Sequence, residues 1–200
     1  MGRDRLLDRQ NLILVRHSLP EIDPAVPGRL WHLSAEGERR CILLAERLAD
    51  YGLVHVVASD EPKAVETAQI VADNLGVPCH TERGLHEHDR SNVSDLGRGA
   101  FQQAVARLFE QPEVQVFGTE TAVEARERFA SALSDVLIRH PTGSLAVVTH
   151  GTVLSLYVGR QASLDPYTLW RKLGLPCFVV LDRTGLDLVE VVPSVMSEGV

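Results

Sequence analysis

Short apolar runs recur along the chain and predict buried strands. They are rich in β-branched residues, show no alternation of apolar and polar positions, and occupy residues 12–15, 54–58, 145–149 and 177–181. Continuous apolar runs of this length are typical of strands that are covered on both faces, as in a mostly parallel sheet. The segments VPCHTE at 77–82 and DLVEVV at 187–192 predict two further strands, of which the last is more exposed.

Helical periodicity fills the intervals between these strands. Over residues 36–50 the apolar positions recur at spacings of three and four, and Ser34 is a natural N-cap just ahead of them. The same spacing runs through residues 64–75 and predicts a second helix. Thr121 and Glu124 have the spacing of a capping box, which predicts the start of a third helix.

The alternation of strands and helices predicts an α/β fold. We expect a three-layer sandwich in which a mostly parallel central sheet carries helices on both faces. No break in composition divides the 200 residues, so we expect one domain over 1–200. Residues 84–118 have the least regular pattern, and long irregular segments often form lids or binding walls. Ligand selectivity is therefore expected to lie in 84–118 and in the loop at 18–34.

Composition narrows the classes of function. The chain is 44% hydrophobic and 24% charged, as in ordinary soluble domains, and its formal net charge is −7. This charge argues against a nucleic-acid-binding protein, because affinity for a phosphate backbone requires many lysines and arginines on one face. The net charge does not exclude a small anionic ligand, since such a ligand needs only two or three converging cations.

Cysteine usage and the N-terminal segment favour a cytoplasmic protein with neither a membrane nor a nucleic acid as partner. Three cysteines without a CxxC pair predict neither a disulfide framework nor a structural zinc site. The apolar run at 11–15 is too short for a signal peptide, and Leu6 stands where a myristoylation signal requires Ser or Thr. No segment approaches the length of a membrane span. The oligomeric state stays open.

Polar residues collect where the predicted strands end. The carboxyl ends of parallel strands meet at one edge of a sheet, where ligands bind. We expect the following residues at this edge: Arg16, His17, Ser18, Ser59, Lys63, His150 and Gly151. Imidazoles and cations converging on one rim suit an oxyanion, and Gly151 would let it approach the amides of the following helix. Glu87, in GLHEHDR at 84–90, is the carboxylate best placed to supply a proton.

The same residues also have purely structural interpretations. A histidine at a strand end is more often hydrogen-bonded than catalytic, and Arg16 and Lys63 could pair with a carboxylate or face solvent. His86 and His88 could reach one metal ion, but the spacing specifies no third ligand, so no metal site is predicted. The GxGxxG, GxxxxGK[ST], HExxH and GxSxG motifs are absent. Four residues are candidates for the wall of the pocket or for surface roles: Arg29, Trp31, His32 and Arg90.

Six segments together resemble the histidine phosphatase superfamily, which includes phosphoglycerate mutases and many small-molecule phosphatases. They are LVRHS at 14–18, LSAEG at 33–37, ASDEPKAVETA at 58–68, LHEHD at 85–89, GTETAVEARERF at 118–129 and VVTHGTVLSL at 147–156. The resemblance implies that His17 accepts a phosphoryl group, that Arg16 and His150 bind its oxygens, and that Glu87 donates a proton to the leaving group. It implies no cofactor. Burial and a bound phosphate are expected to raise the pKa of Glu87 above its usual value of about 4.3.

The chain departs from the family pattern around one cation. Lys63 stands where the family usually has a second phosphate-binding arginine, and lysine keeps the charge but lacks the planar two-donor fork. Asp60 and Glu61 add negative charge beside it. We predict a metal-independent phosphatase acting on a small phosphomonoester, with Arg16, Lys63, His150 and Gly151 binding phosphate. Two alternatives stay open: a phosphate-binding or regulatory module with weak or no turnover, and a phosphoglycerate mutase-type phosphotransferase.

Overall fold

The computed structural model describes residues 10–93 and 96–196 and contains a six-stranded sheet. The strands are β1 (Asn11–Arg16), β2 (Leu53–Ser59), β3 (Cys79–Glu82), β4 (Ser144–Thr149), β5 (Cys177–Asp182) and β6 (Leu188–Val192). The helices are α1 (Ala35–Leu48), α2 (Pro62–Leu75), α3 (Gly97–Glu110), α4 (Ala122–Arg139), α5 (Gly151–Ala162) and α6 (Pro166–Lys172). The predictions for the signal peptide and for Leu6 concern residues that lie outside the described ranges.

The strand order is β3-β2-β4-β1-β5-β6. β1 to β4 run parallel, whereas β5 is antiparallel to β1 and β6 is antiparallel to β5. The predicted α/β sandwich with a mostly parallel sheet is confirmed, and all six predicted strands are present. The antiparallel direction of β5 was not predicted, because a buried apolar run has the same composition in either direction.

Two hydrophobic cores lie on opposite faces of the sheet. Leu12 and Leu14 belong to the core that contains the buried residues of α4 and α5, whereas Ile13 and Val15 belong to the core with α1 and α2. All four side chains are fully buried. Successive residues of a strand face opposite sides of a sheet, so a strand that is covered on both sides is apolar at every position. This explains the unbroken apolar run of β1.

The predicted helix starts are present at the expected residues. The side chain of Ser34 accepts a hydrogen bond from the amide of Gly37 at 3.0 Å and caps α1. At the start of α4, the Thr121 hydroxyl accepts from the Glu124 amide at 3.1 Å, and the Glu124 carboxylate accepts from the Thr121 amide at 2.7 Å. These capping contacts satisfy amides that have no partner within the helix.

The expectation of an irregular segment over 84–118 was wrong for α3, which occupies Gly97–Glu110. Two physical features hide this helix in the sequence. Its N-cap, Leu96, makes no side-chain capping bond, and glycines at positions 97 and 99 weaken helix propensity in the first turn. The short α6 was also missed. Within the ranges above, no helix combines the length and the apolar character needed to cross a bilayer.

Candidate active site

The carboxyl end of β1 places an arginine and a histidine at the centre of the sheet's rim. Arg16 is the last residue of β1 and is paired with Thr149 of β4 on one side and Cys177 of β5 on the other. His17 follows directly, and its backbone N–H donates to the Thr149 carbonyl at 2.9 Å. Both residues therefore belong to backbone that is hydrogen-bonded to neighbouring strands.

The ring of His17 is buried and is oriented by the backbone. Its Nδ1 lies 2.7 Å from the Ser18 carbonyl oxygen, which can only accept a hydrogen bond, so the proton is assigned to Nδ1 and the lone pair to Nε2. Burial lowers the pKa of His17 well below its usual range, and His150, Lys63 and Arg16 lower it further. The imidazole is therefore neutral at pH 7 and available as a nucleophile.

His150 comes from the end of β4 and lies beside His17. The centres of the two rings are 5.1 Å apart. His150 is fully buried, and its Nε2 lies 2.9 Å from the Ser59 hydroxyl and 3.6 Å from a carboxylate oxygen of Glu61. Burial lowers the pKa of His150 well below its usual range, and Lys63 lowers it further. The two histidines predicted from separate strand ends thus meet as a pair of neutral imidazoles.

Arg16 packs against Gly151, the first residue of α5. A Cβ at Gly151 would lie 2.9 Å from Nε of Arg16, so any larger residue would displace the guanidinium. Nη1 of Arg16 donates to the Leu173 carbonyl at 2.6 Å. The buried Nε has no hydrogen-bond partner among the described residues and is therefore a donor available to an oxyanion.

The carboxylate of Glu87 occupies the N-terminus of α5. It accepts hydrogen bonds from the amides of Thr152 at 3.1 Å, Val153 at 3.2 Å and His88 at 2.9 Å. From the sequence, Gly151 was predicted to open these helix amides to a ligand. In the structure the Glu87 carboxylate accepts hydrogen bonds from two of these amides. Gly151 has a different role, because a side chain at this position would collide with the Arg16 guanidinium.

The pKa of Glu87 is lowered, contrary to the expected direction. Burial by itself raises the pKa, but Arg90 and the amides of Thr152 and His88 outweigh it because they stabilise the charged form. Glu87 is therefore ionised at neutral pH in this arrangement. The rise expected on phosphate binding stays a prediction.

Arg128 of α4 holds the segment that carries Glu87. Its guanidinium donates to the backbone carbonyls of Gly84 at 2.7 Å, His86 at 3.0 Å and Glu87 at 3.1 Å. It is fixed by two further hydrogen bonds to the Glu120 carboxylate, at 2.6 and 3.1 Å. Sequence reasoning missed Arg128. The sequence does contain one indication of it, an arginine that follows a glutamate by eight residues within the family-like segment at 118–129.

Lys63 reaches the same rim, but its charge is already paired. The ammonium donates to the Gly28 carbonyl at 2.9 Å and forms a short ion pair with Glu61. Both residues are buried, at 6% and 8% exposure. The second oxygen of the Glu61 carboxylate accepts from the Glu87 amide at 3.0 Å. A carboxylate therefore lies where a phosphate would otherwise contact Lys63.

Of the four candidate wall residues, Arg90 is the one that contributes to the pocket's charge. Arg90 lowers the pKa of Glu87 and of Arg16, and its guanidinium lies 4.7 Å from the centre of the Phe101 ring. Its Nη1 is buried without a partner in the described part of the chain. The other three lie in or beside the 18–34 loop: Arg29 is exposed, Trp31 donates to two backbone carbonyls, and His32 pairs with Glu66.

His86 and His88 lie apart from any candidate metal group in residues 10–93 and 96–196. Nε2 of His88 is 2.8 Å from the Glu120 carbonyl, and its ring packs on Phe117. The groups that do meet at the carboxyl ends of the strands are Arg16, His17, Lys63, Glu87, His150 and Gly151. This pocket combines two neutral imidazoles with cations and the carboxylates of Glu61 and Glu87.

A family model described as "Histidine phosphatase superfamily (branch 1)" matches residues 12–188. The chain belongs to this superfamily. Among curated relatives, the probable phosphoglycerate mutase GpmB of Yersinia enterocolitica is 28% identical over 144 residues, covering 68% of this chain and 65% of the relative. Phosphoglycerate mutase-like protein 4 of Arabidopsis thaliana is 29% identical over 166 residues, covering 76% and 71%. The match to GpmB thus spans about two thirds of that protein's length.

Solved structures of other histidine phosphatases share the fold. A mycobacterial glucosyl-3-phosphoglycerate phosphatase superposes with a TM-score of 0.73 at 17% identity, covering 92% of this chain and 99% of the other. The alpha-ribazole phosphatase of Shigella flexneri gives 0.72 at 20% identity, with coverage of 96% and 99%. At this level of identity the similarity shows the architecture alone.

Two departures from the histidine phosphatase pattern have different structural consequences. Ser18 stands where the resemblance of LVRHS to the family's RHG segment implies a glycine. Its buried hydroxyl donates to the Gly37 carbonyl at 2.7 Å, and its amide donates to the Thr67 hydroxyl at 3.0 Å. Ser18 therefore ties the end of β1 to α1 and α2. The second departure is the Lys63–Glu61 pair, which changes the charge of the pocket itself, whereas Asp60 is exposed.

Proposed function

We propose that this histidine phosphatase hydrolyses a small phosphomonoester, without a metal ion, through a phosphohistidine on His17. The ring of His17 is the observation that carries the proposal. It is neutral, and its Nδ1 donates to the Ser18 carbonyl, which leaves the lone pair of Nε2 for attack on phosphorus. A neutral imidazole is a competent nucleophile near pH 7 and needs no metal to activate it.

In the first step Nε2 of His17 bonds to phosphorus while the bond between phosphorus and the ester oxygen breaks. The transferring group carries negative charge on its equatorial oxygens, so fixed N–H donors around it lower the barrier. Arg16 and Arg90 supply such donors, since each has a buried guanidinium nitrogen without a partner among the described residues. The leaving alkoxide takes a proton from the carboxyl group of Glu87.

Glu87 must gain a proton before it can donate one. A phosphate dianion bound beside the carboxylate raises its pKa by like-charge repulsion, and a monoester monoanion delivers a proton with the substrate. In the second step water attacks the phosphorus of the phosphohistidine, and the Glu87 carboxylate accepts its proton. The bond between phosphorus and Nε2 breaks, which releases phosphate and restores neutral His17.

A small phosphorylated molecule is the substrate class that the comparisons support best. The named activities of similar structures concern glucosyl-3-phosphoglycerate, alpha-ribazole phosphate and phosphoserine, all of them small. The net charge of −7 and the Glu61 carboxylate in the pocket disfavour polyanions such as nucleic acid. A cytoplasmic location is part of the proposal and is supported by three free cysteines.

Hydrolysis is expected to be insensitive to chelation. The initial rate of phosphate release from p-nitrophenyl phosphate should be the same with and without excess EDTA, because His17 rather than a metal-bound hydroxide attacks phosphorus. A rate that falls with EDTA and returns with added metal would contradict the proposal.

A phosphoglycerate mutase-type transfer is the second candidate, and the names of the curated relatives favour it. In a mutase the phosphoryl group returns from the histidine to the substrate instead of to water. The two reactions separate when phosphoglycerate is supplied with its bisphosphate. Net phosphate release supports the phosphatase, and isomerisation without release supports the mutase.

Neutralising Glu61 is expected to strengthen phosphate binding. Glu61→Gln keeps an oxygen for the Glu87 amide but removes the charge that pairs with Lys63. The freed ammonium should lower the inhibition constant of inorganic phosphate about tenfold, the lower end of what one charge-assisted hydrogen bond contributes. Competitive inhibition assays measure this constant.

The gain should depend on Lys63. Glu61→Asp retains the negative charge and serves as the matched control, and Lys63→Met added to Glu61→Gln should remove the gain. If Glu61→Gln binds phosphate no better than the wild type, the ion pair does not limit access to Lys63.

A further inference from the structure

Three histidines that the proposed mechanism does not use lie together on one face of the sheet. His55 is on β2, His80 is on the edge strand β3, and His140 follows the last turn of α4. His55 precedes Ser59, at the rim of the active site, by four residues, which is about 13 Å along a strand. The cluster is therefore separate from the phosphate pocket.

The three rings are in mutual contact. Nε2 of His55 lies 2.7 Å from Nδ1 of His80. The ring centres are 4.7 Å apart for His55 and His80, 4.3 Å for His55 and His140, and 5.1 Å for His80 and His140. One nitrogen from each ring lies within 4.8 Å of the other two. Three imidazole nitrogens thus surround one small volume.

Regular backbone holds all three residues in place. His80 is paired with Val57, which lies two residues beyond His55 on β2, so both imidazoles are on one face of adjacent strands. The amide of His140 donates to the Val136 carbonyl at 3.0 Å. After His140, Gly143 adopts a positive φ of 81° and lies so close to β2 that a Cβ would be 2.6 Å from Val54.

The charge state of the cluster suits a cation. Burial lowers the pKa of all three imidazoles, and the rings of His140 and His80 lower that of His55 further. A lowered pKa favours the neutral form of each ring, which is the form that binds a metal ion. Arg139, next to His140, forms an ion pair with Glu82, and the charges of Arg139 and Arg183 lower the pKa of His140 further.

We propose that His55, His80 and His140 form a binding site for Zn²⁺, with water as the fourth ligand. Three histidines with one open position are an established ligand set for zinc, and Zn–N bonds of about 2.0–2.1 Å place the nitrogens of a tetrahedral site about 3.3 Å apart. The nitrogens of His55 and His80 are 2.7 Å apart and must separate by about 0.6 Å. The nitrogen of His140 lies within 4.8 Å of them and must approach by up to about 1.5 Å. Zinc binding also requires a change of tautomer. Of His55 and His80, the ring that now donates the hydrogen bond between them must carry its proton on its other nitrogen.

A zinc ion at this position joins three parts of the fold. It links the edge strand β3 to its neighbour β2 and to the end of α4. A ligand that binds only the folded chain stabilises it by RT ln(1 + [L]/Kd), where [L] is the concentration of free ligand. The site therefore acts on stability and leaves the chemistry at His17 unchanged.

Calorimetric titration of the full chain, free of any affinity tag, with ZnCl₂ tests the site. We expect one zinc per chain, and we expect His80→Asn and His140→Asn each to weaken binding at least about tenfold, the minimum seen when even an outer partner of a metal site is lost. At about 100 times the Kd, zinc should raise the Tm of the wild type by about 5–10 °C. It should not raise the Tm of His80→Asn.

Two controls locate the bound ion. His32→Asn removes an exposed histidine that pairs with Glu66, and His17→Ala removes an imidazole of the phosphate pocket. Both variants should bind zinc as the wild type does. The proposal is overturned if the wild type shows no saturable binding, or if binding survives in His80→Asn and His140→Asn and is lost in His17→Ala. Should His80→Asn fold poorly, the comparison of His140→Asn with His17→Ala decides.

Discussion

His17→Ala is expected to abolish the covalent intermediate and to lower kcat by at least about four orders of magnitude, as the loss of a covalent nucleophile does in other enzymes. His150, the other imidazole of the pocket, has its Nε2 engaged with the Ser59 hydroxyl and does not replace it. The wild type should take up label from a radioactive phosphodonor after a quench in base. The label should be stable in base, labile in acid and absent from His17→Ala.

The matched control is His140→Asn, which removes a histidine from the distant end of the fold. It should retain both the label and the turnover, because His140 lies beside His55 and His80 and not at the rim. Absence of label from the wild type with several donors would contradict the phosphatase. It would favour a phosphate-binding module, in which the Lys63–Glu61 pair keeps turnover low.

Glu87→Gln is expected to lower kcat about 10²–10⁴-fold for an alkyl phosphate, the usual contribution of general acid catalysis. The amide keeps an oxygen for the α5 amides but cannot deliver a proton to the leaving group. The loss should be smaller for p-nitrophenyl phosphate, whose leaving group needs little protonation. The Glu87→Gln variant should still bind inorganic phosphate, because the substitution removes a negative charge that repels the anion.

The pH dependence provides a second test of Glu87. Its pKa is lowered in the free protein, so the fraction of enzyme carrying the required proton increases as pH falls. The pKa of His17 is lowered well below 6.5, so the nucleophile stays neutral over the same range. The value of kcat/KM should therefore rise from pH 8 towards pH 5.5, and this rise should be weaker in Glu87→Gln. Glu36→Gln, a change of an exposed carboxylate on α1, should leave the profile unaltered.

If Glu87→Gln retained full activity, another carboxylate would have to be the proton donor. Glu61 is the nearest alternative, because its Oε1 lies 3.0 Å from the Glu87 amide and 3.6 Å from Nε2 of His150. The Glu61→Gln variant would then lose turnover instead of gaining affinity for phosphate. The two single variants therefore distinguish the two assignments.

The sheet and the positions of Arg16 and His17 at its rim could be predicted because both depend on local patterns. A strand buried on both faces must be apolar throughout, as β1 is at residues 12–15, and its end is where the polarity changes to Arg16 and His17. Capping residues marked the starts of α1 and α4 for the same reason, since the bonds that they make span only three residues.

The missed features depend on contacts between distant residues. Arg128 supports Glu87 from across a gap of 41 residues, and no spacing rule connects them. His55 and His80 meet because β3 pairs with β2 in one register, and His140 joins them through the end of α4. The pairing of Glu61 with Lys63 is local, but whether the carboxylate faces solvent or the pocket depends on the burial of both side chains.

The position of β1 in the sheet determines when the pocket can exist during synthesis. Its partners, β4 and β5, are translated last among the central strands, and Nη1 of Arg16 is held by the carbonyl of Leu173, 157 residues later. A ribosome-bound chain that has exposed only its first 140 residues therefore has His17 but lacks the Thr149 carbonyl and both strands that pair with β1. We therefore expect the proposed reactivity towards phosphate esters to require β4 and β5, and a chain ending at residue 140 to lack it.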